Sequence, residues 1–246
     1  FLAVFGEKMY NRSLKEGDSV IIGALLAVSA AWKLRRLDDR AFDRLVAGLG
    51  IFLAVTEIFK QICLFRAAGG HYDWWYFPFQ LCSMPMYMCL ACTFSHSGRV
   101  RRLLCTFMHN FSLLGALAVI FDTSGLYHES LLLTAHSFLW HILIIFLGAL
   151  IGFSGRMDVS WKGYRDSALL FLALCAAATG INVWAHPFGD INMFYITPYY
   201  PSNQVVFRGI ARCLGTIPTD LVYVGCIASG AAAMHAGERR YVGKAE

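Results

Sequence analysis

The chain has 246 residues, of which 57% are apolar, 15% aromatic and only 15% charged. Soluble domains carry roughly 25% charged residues, and an unstructured chain cannot leave this much apolar surface in water. Soluble, disordered, collagen-like and coiled-coil classes are therefore excluded. A membrane protein remains, since each crossing takes about 20 mostly apolar residues and the chain has room for several.

Residues 1–18 form an expected outer segment, in which Asn11-Arg12-Ser13 matches the glycosylation sequon, a motif frequent by chance. The chain starts at Phe1 without an initiator Met, which suggests trimming or a fragment, and no cleavable signal core is visible. The first apolar run, 19–32, is the shortest. The second, 45–65, carries Glu57, Lys60 and Gln61, and spacings of three and four put them on one helical face. Ionisable groups at membrane depth usually face the bundle interior, so an ion pair fixing helix packing and a role in a site are both open readings.

Trp74, Trp75 and Tyr76 precede the third run, 78–94, as either an interfacial aromatic belt or a rim admitting a lipid chain. That run opens Pro78-Phe79-Gln80-Leu81-Cys82-Ser83-Met84-Pro85. Pro78 suits a first helical turn, and Pro85, placed inside the helix, releases the Leu81 carbonyl and kinks the chain beside Cys82. Cys82 then sits near a helix N-terminus, whose positive end favours thiolate. Cys89-x-x-Cys92-x-x-x-His96 has metal-like spacing but no fourth ligand, and no metal site is expected.

The fourth run, 103–121, holds His109 and Asn110, expected as interhelical hydrogen-bond partners. In the fifth, 131–153, His136 lies about one turn from the membrane surface, at a depth similar to that of Cys82. A thiol with an imidazole base is the minimum apparatus for covalent acyl transfer. His141, five residues on, points about 140° away around the helix, which argues against a two-histidine metal site. The sixth run, 168–185, leads into Asn182, His186, Asp190, Asn192 and Tyr195, which either cap the helix end and order the loop or orient a phospholipid head group. Phe194, Tyr195, Tyr199 and Tyr200 form a second aromatic cluster before the seventh run, 216–235, and a tail follows at 237–246.

Fourteen of the 21 Lys and Arg residues fall on one side of these runs, six on the other, and Lys60 within a span. Cytoplasmic loops carry the cationic excess, so the N-terminus is expected outside and the C-terminus in the cytoplasm. The cationic clusters therefore report membrane topology rather than nucleic-acid binding. The eight cysteines mostly lie inside apolar runs and read as small buried hydrophobes rather than a disulfide framework.

At Phe77-Pro78-Phe79-Gln80-Leu81-Cys82-Ser83 and Thr134-Ala135-His136-Ser137 the chain resembles the YwaF-type family of integral membrane proteins, which includes eukaryotic transmembrane protein 164. The family's proline-leucine-histidine-leucine-cysteine-serine element is similar here, with Phe79 and Gln80 replacing its leucine and histidine. Gly115-Ala116-Leu117 before Asp122, Asn182, and Asn192-Met193-Phe194-Tyr195 before Pro198 and Pro201 also look like the family pattern. The resemblance covers most of the chain from the second span onwards. It implies seven membrane helices and, for the eukaryotic member, an acyltransferase moving polyunsaturated acyl chains onto lyso ether phospholipids through a cysteine and a histidine. Those roles fall on Cys82 and His136, and Gln80 removes a second imidazole near the thiol.

The resulting expectation is an all-α, polytopic bundle of about seven helices over 19–236. Its function is a phospholipid acyltransferase or transacylase with Cys82 as nucleophile, His136 as base and an acyl-thioester intermediate. Gln80, Ser83, Glu57, His141, Asn182, Asn192 and Tyr195 are the candidate substrate-binding residues. Membrane phospholipids are the expected partners, no cofactor is implied, and the location is the plasma membrane if bacterial or an endomembrane if eukaryotic. The competing reading is a non-enzymatic transporter or receptor for a lipid or small molecule, using the same outer-half cavity and relying on Glu57 and Lys60.

Overall fold

The computed structural model describes residues 20–242 apart from Glu129 and Asn203. The expected segment 1–18 with its sequon, and residues 243–246 of the expected tail, lie outside the described residues. Among the described residues the secondary structure is helical, with no strand.

The chain opens with α1 (Val20–Leu34). Next comes α2 (Asp39–Ala67), which starts six residues before the expected apolar run because the Asp38 side chain caps it, accepting from the Ala41 N–H at 2.8 Å. A short 3₁₀ turn, Leu81–Ser83, leads into α3 (Met84–Phe94). Here the expectation is corrected. Pro78 lies outside any helix, and Pro85 occupies the first turn of α3, where its missing N–H leaves no interior bond broken and no kink arises.

The fourth expected run is composite. α4 (Gly98–Phe107) passes through a π-helical turn, Met108–Ser112, into α5 (Leu113–Ala118). Then follow α6 (Leu131–Phe153) and α7 (Trp161–Ala185). The latter starts seven residues early because Ser160 caps it, accepting from the Gly163 N–H at 3.1 Å. Next are α8 (Val205–Leu214) and α9 (Thr216–Val242). α9 continues seven residues past its expected end and absorbs most of the tail. Gly215, at φ +83°, turns the chain between α8 and α9 in a conformation open to glycine.

Among the described residues four helices, α2, α6, α7 and α9, are long and apolar enough to cross a membrane, and two apolar helices, Val20–Leu34 and Leu81–Phe94, are shorter. Large apolar side chains face outward: Ile51, Val55, Ile58 and Ile62 of α2 are each more than half exposed, and Leu221 of α9 is 70% exposed. Water penalises such a surface, whereas lipid matches it.

Contacts sort the connections into two ends. At one, Arg156 donates to the Leu37 carbonyl at 2.9 Å and pairs with Asp39 at 2.8 Å, while Arg101 pairs with Asp43. At the other, Trp74 packs against Tyr72, Phe77, Trp184 and Phe188, uniting the loop before α3 with the end of α7. Between the ends runs a column of stacked rings, Phe107, Phe111, Phe171, Phe194 and Phe79, with centroid separations of 5.3, 4.6, 6.3 and 5.9 Å. Offset stacking of this kind contributes about 0.5–1.5 kcal/mol per pair beyond burial. The column ties the π turn to the loop at the opposite end.

Candidate functional site

The site lies at the Trp74 end, where α2, the 3₁₀ turn and α6 meet. Glu57 is 4% exposed, and its Oε1 takes the Lys60 ammonium at 2.8 Å and the Gln61 amide at 2.7 Å. Gln61 also donates to the Tyr76 carbonyl at 2.7 Å, fastening α2 to the aromatic turn. Oε2 of Glu57 is buried with no hydrogen-bond partner among the described residues. Outside the spans, burial and the nearby Glu57 carboxylate push the Tyr72 phenol up to about 12.

Cys82 occupies the turn entering α3, beside the buried Ser83. The Cys82 carbonyl accepts from the Trp140 indole N–H at 2.9 Å, and the same indole lies 5.4 Å from the His136 ring. Both Cys82 and His136 lie within electrostatic reach of Glu57 and Lys60. Trp140 thus lies between the Cys82 backbone and the His136 ring. Neither His136 ring nitrogen makes a well-formed hydrogen bond, although both are buried and the Thr56 backbone is close enough to attract the ring. His141 is placed differently: its Nδ1 donates to the Ser137 carbonyl at 2.8 Å, which ties the ring to its own helix.

Gln80, Asn182 and Asn192 use their amides to hold the loop at 191–197. Gln80 donates to the Asn192 carbonyl at 2.8 Å and accepts from the Phe194 N–H at 2.9 Å. Asn182 donates to the Met193 carbonyl at 3.1 Å and accepts from its N–H at 2.6 Å. Asn192 Oδ1 accepts from the Thr197 N–H at 3.0 Å, leaving Nδ2 as the buried amide donor without a partner. These clamps hold Phe194 and Tyr195 at φ +57° and +58°, a left-handed conformation that side chains with a Cβ disfavour. The strain keeps the Phe194 ring in the aromatic column. Leu81, Phe171, Cys175, Phe194 and Tyr223 line an apolar seam there that is too narrow for a water molecule.

A family model described as the TMEM164 family matches residues 12–217. The chain belongs to the TMEM164 family. No curated protein and no solved structure matches it. The matched segment contains every candidate residue from Glu57 to Tyr195. Family membership and the outward apolar helices together identify a membrane protein.

This TMEM164-family chain also carries a buried polar network toward the arginine-rich end. His109 Nδ1 donates to the Gly148 carbonyl at 2.9 Å, leaving Nε2 facing Glu238 at 4.0 Å. Asn110 reaches Ser167 at 3.3 Å and His235 Nδ1 at 3.2 Å, and His235 Nε2 donates to the Ser160 carbonyl at 3.0 Å. His109 and Asn110 are thus the interhelical partners their position suggested, but the π turn that lets adjacent residues serve α6 on one side and α7 and α9 on the other leaves no mark in the composition. His235 and Glu238 lie beyond the family match.

All eight cysteines are free, with Cys89, Cys92, Cys105 and Cys175 buried. No group of three His, Cys, Asp or Glu side chains that could hold a metal ion occurs among the described residues. One further contact escaped sequence reasoning: His128, in an ordinary-looking polar connection, meets Ser137 of α6 at 3.1 Å.

Proposed function

We propose that the chain is a multi-pass membrane acyltransferase or transacylase of phospholipids, with seven crossings, an outer N-terminus and a cytoplasmic C-terminus. The observation that supports it is the placement of Cys82 and His136 around Trp140, with the imidazole nitrogens free of strong hydrogen bonds. His136 takes the Cys82 thiol proton, and the thiolate attacks the carbonyl carbon of a donor phospholipid ester. The ester C–O bond breaks, and the lysophospholipid oxygen leaves with the proton from His136. The acyl group is then held as a Cys82 thioester. His136 next takes the hydroxyl proton of an acceptor lysophospholipid, whose oxygen attacks the thioester and releases the thiolate for reprotonation. Lys60 supplies positive charge where the carbonyl oxygen becomes negative.

The test is an acyl label on purified protein that neutral hydroxylamine removes, together with acyl transfer to lysophospholipid. Both are lost in Cys82→Ala. Retention of both overturns the mechanism. The second reading, a transporter or receptor for a lipid or small molecule, draws on the buried Glu57–Lys60 pair and its unpartnered carboxylate oxygen. Uptake or binding that survives Cys82→Ala but not Lys60→Met supports that reading instead.

A further inference from the structure

Ser137 lies one residue after His136, yet its surroundings differ. A serine inside a helix commonly bonds back to the carbonyl four residues earlier; Ser137 instead has its hydroxyl 3.1 Å from His128 Nε2. The imidazole is held there by its own backbone. The Thr134 hydroxyl accepts from the His128 N–H at 3.0 Å and donates to the His128 carbonyl at 3.1 Å, which staples the loop onto the first turns of α6. The Tyr76 ring lies 5.6 Å from the imidazole, and Lys60 is within electrostatic reach. Both Ser137 and His128 are partly exposed.

We propose that Ser137 and His128 form a second nucleophile–base pair, an esterase centre for acyl esters of amphiphiles, distinct from Cys82. The Ser137 hydroxyl proton passes to His128 Nε2 as Oγ attacks the ester carbonyl, and the Lys60 ammonium, within electrostatic reach of His128, favours the negative charge that develops. The ester C–O bond breaks, and the alcohol leaves with the His128 proton. Water then attacks the acyl-serine, giving one proton to His128, and the carboxylic acid departs as Oγ is reprotonated. Thr134 is a positioning residue, since it acts only through the loop. Burial first and Lys60 second hold the His128 imidazole below its ordinary value, so it is neutral, and able to accept a proton, at physiological pH.

This inference does not rest on the Cys82 mechanism. Purified full-length protein in phosphatidylcholine nanodiscs is treated with a fluorophosphonate probe, and the labelled peptide is identified by mass. The expected result is a label on Ser137, absent in Ser137→Ala, slowed at least tenfold in His128→Gln and unchanged in Cys82→Ala. Hydrolysis of p-nitrophenyl butyrate, measured in the Cys82→Ala background, is lost with Ser137→Ala and slowed with His128→Gln, and it declines in the acid range below the ordinary imidazole value of about 6.5, because the His128 imidazole is held below that value. Ser137→Thr, which keeps the hydroxyl, retains a measurable label. An unlabelled wild type, a label lost only in Cys82→Ala, or equal labelling of wild type and His128→Gln overturns the proposal. Failure of the Cys82 mechanism alone appears as loss of the hydroxylamine-sensitive label with fluorophosphonate labelling intact.

Discussion

The two ends of the bundle bury polar groups to different effect. Toward the arginine-rich end, His109, Asn110, Ser167 and His235 join the π turn to α6, α7 and α9, and both imidazoles have an assigned donor nitrogen. Asn110 Oδ1, Ser112 Oγ and Glu238 Oε1 are left over there, but neither ring is. At the Trp74 end the reverse holds: the carboxylate of Glu57 is half used, and the His136 ring is only weakly engaged. A buried polar atom left without a hydrogen bond costs about 1–3 kcal/mol. The first arrangement spends its polar groups on joining helices, and the second leaves a carboxylate oxygen and an imidazole without well-formed hydrogen bonds.

That contrast can be broken from either side. The largest effect is expected at His136: replacement by Phe lowers acyl transfer to lysophospholipid by about 10²–10⁴-fold, while the melting temperature in nanodiscs stays level or rises because two poorly bonded nitrogens disappear. A fall in melting temperature with unchanged transfer would place His136 among the architectural residues. Next is Glu57→Ala, which leaves the partly buried Lys60 ammonium without its partner and lowers stability by about 3 kcal/mol, the lower end for a buried pair; Lys60→Met in the same chain restores most of it. Denaturation of the single and double variants measures this, and an additive double variant contradicts the pairing.

Asn110→Leu removes the links to Ser167 and His235 and is expected to lower stability by about 2 kcal/mol, with little change in transfer per folded molecule. Gly152→Ala places a methyl group 2.7 Å from the His109 ring. It costs about 1–3 kcal/mol through overpacking, and His109→Ala should relieve it in a double variant. The smallest effect is a pH dependence from His128. Its folded imidazole has a lowered pKa, so the unfolded chain takes up the proton first as pH falls. Stability is therefore highest above about 6.5 and declines through the window below it; His128→Gln should flatten that decline.

Helix positions were legible in the apolar runs, because lipid-facing surface is continuous along each helix. Helix starts were not: α2 and α7 begin in polar sequence through Asp38 and Ser160, whose capping depends on where the preceding chain arrives. The choice between Pro78 and Pro85 as the helix opener depended on the turn at Leu81–Ser83, which Trp140 holds through the Cys82 carbonyl from 58 residues away. Trp140, whose indole bonds the Cys82 carbonyl and lies beside the His136 ring, carried no signal beyond being aromatic. Gln80 and Asn182 were legible as polar residues of the candidate site, and Asn182 as one that could order the loop after it; their partners in the 191–197 loop were not, since those bonds go to backbone atoms that no residue type announces.

The π turn at Met108–Ser112 carries a consequence for phase. One extra residue in a helical turn advances everything beyond it by about 100° around the axis, so α5 presents Leu113 to Gly148 and Gly115 to Leu81 on a schedule that α4 alone does not set. A single helical wheel drawn through the whole segment assigns half its residues to the wrong side. Removing one residue from the turn heals the helix yet rotates α5 away from both neighbours, so a deletion there should harm the bundle more than any one substitution within it.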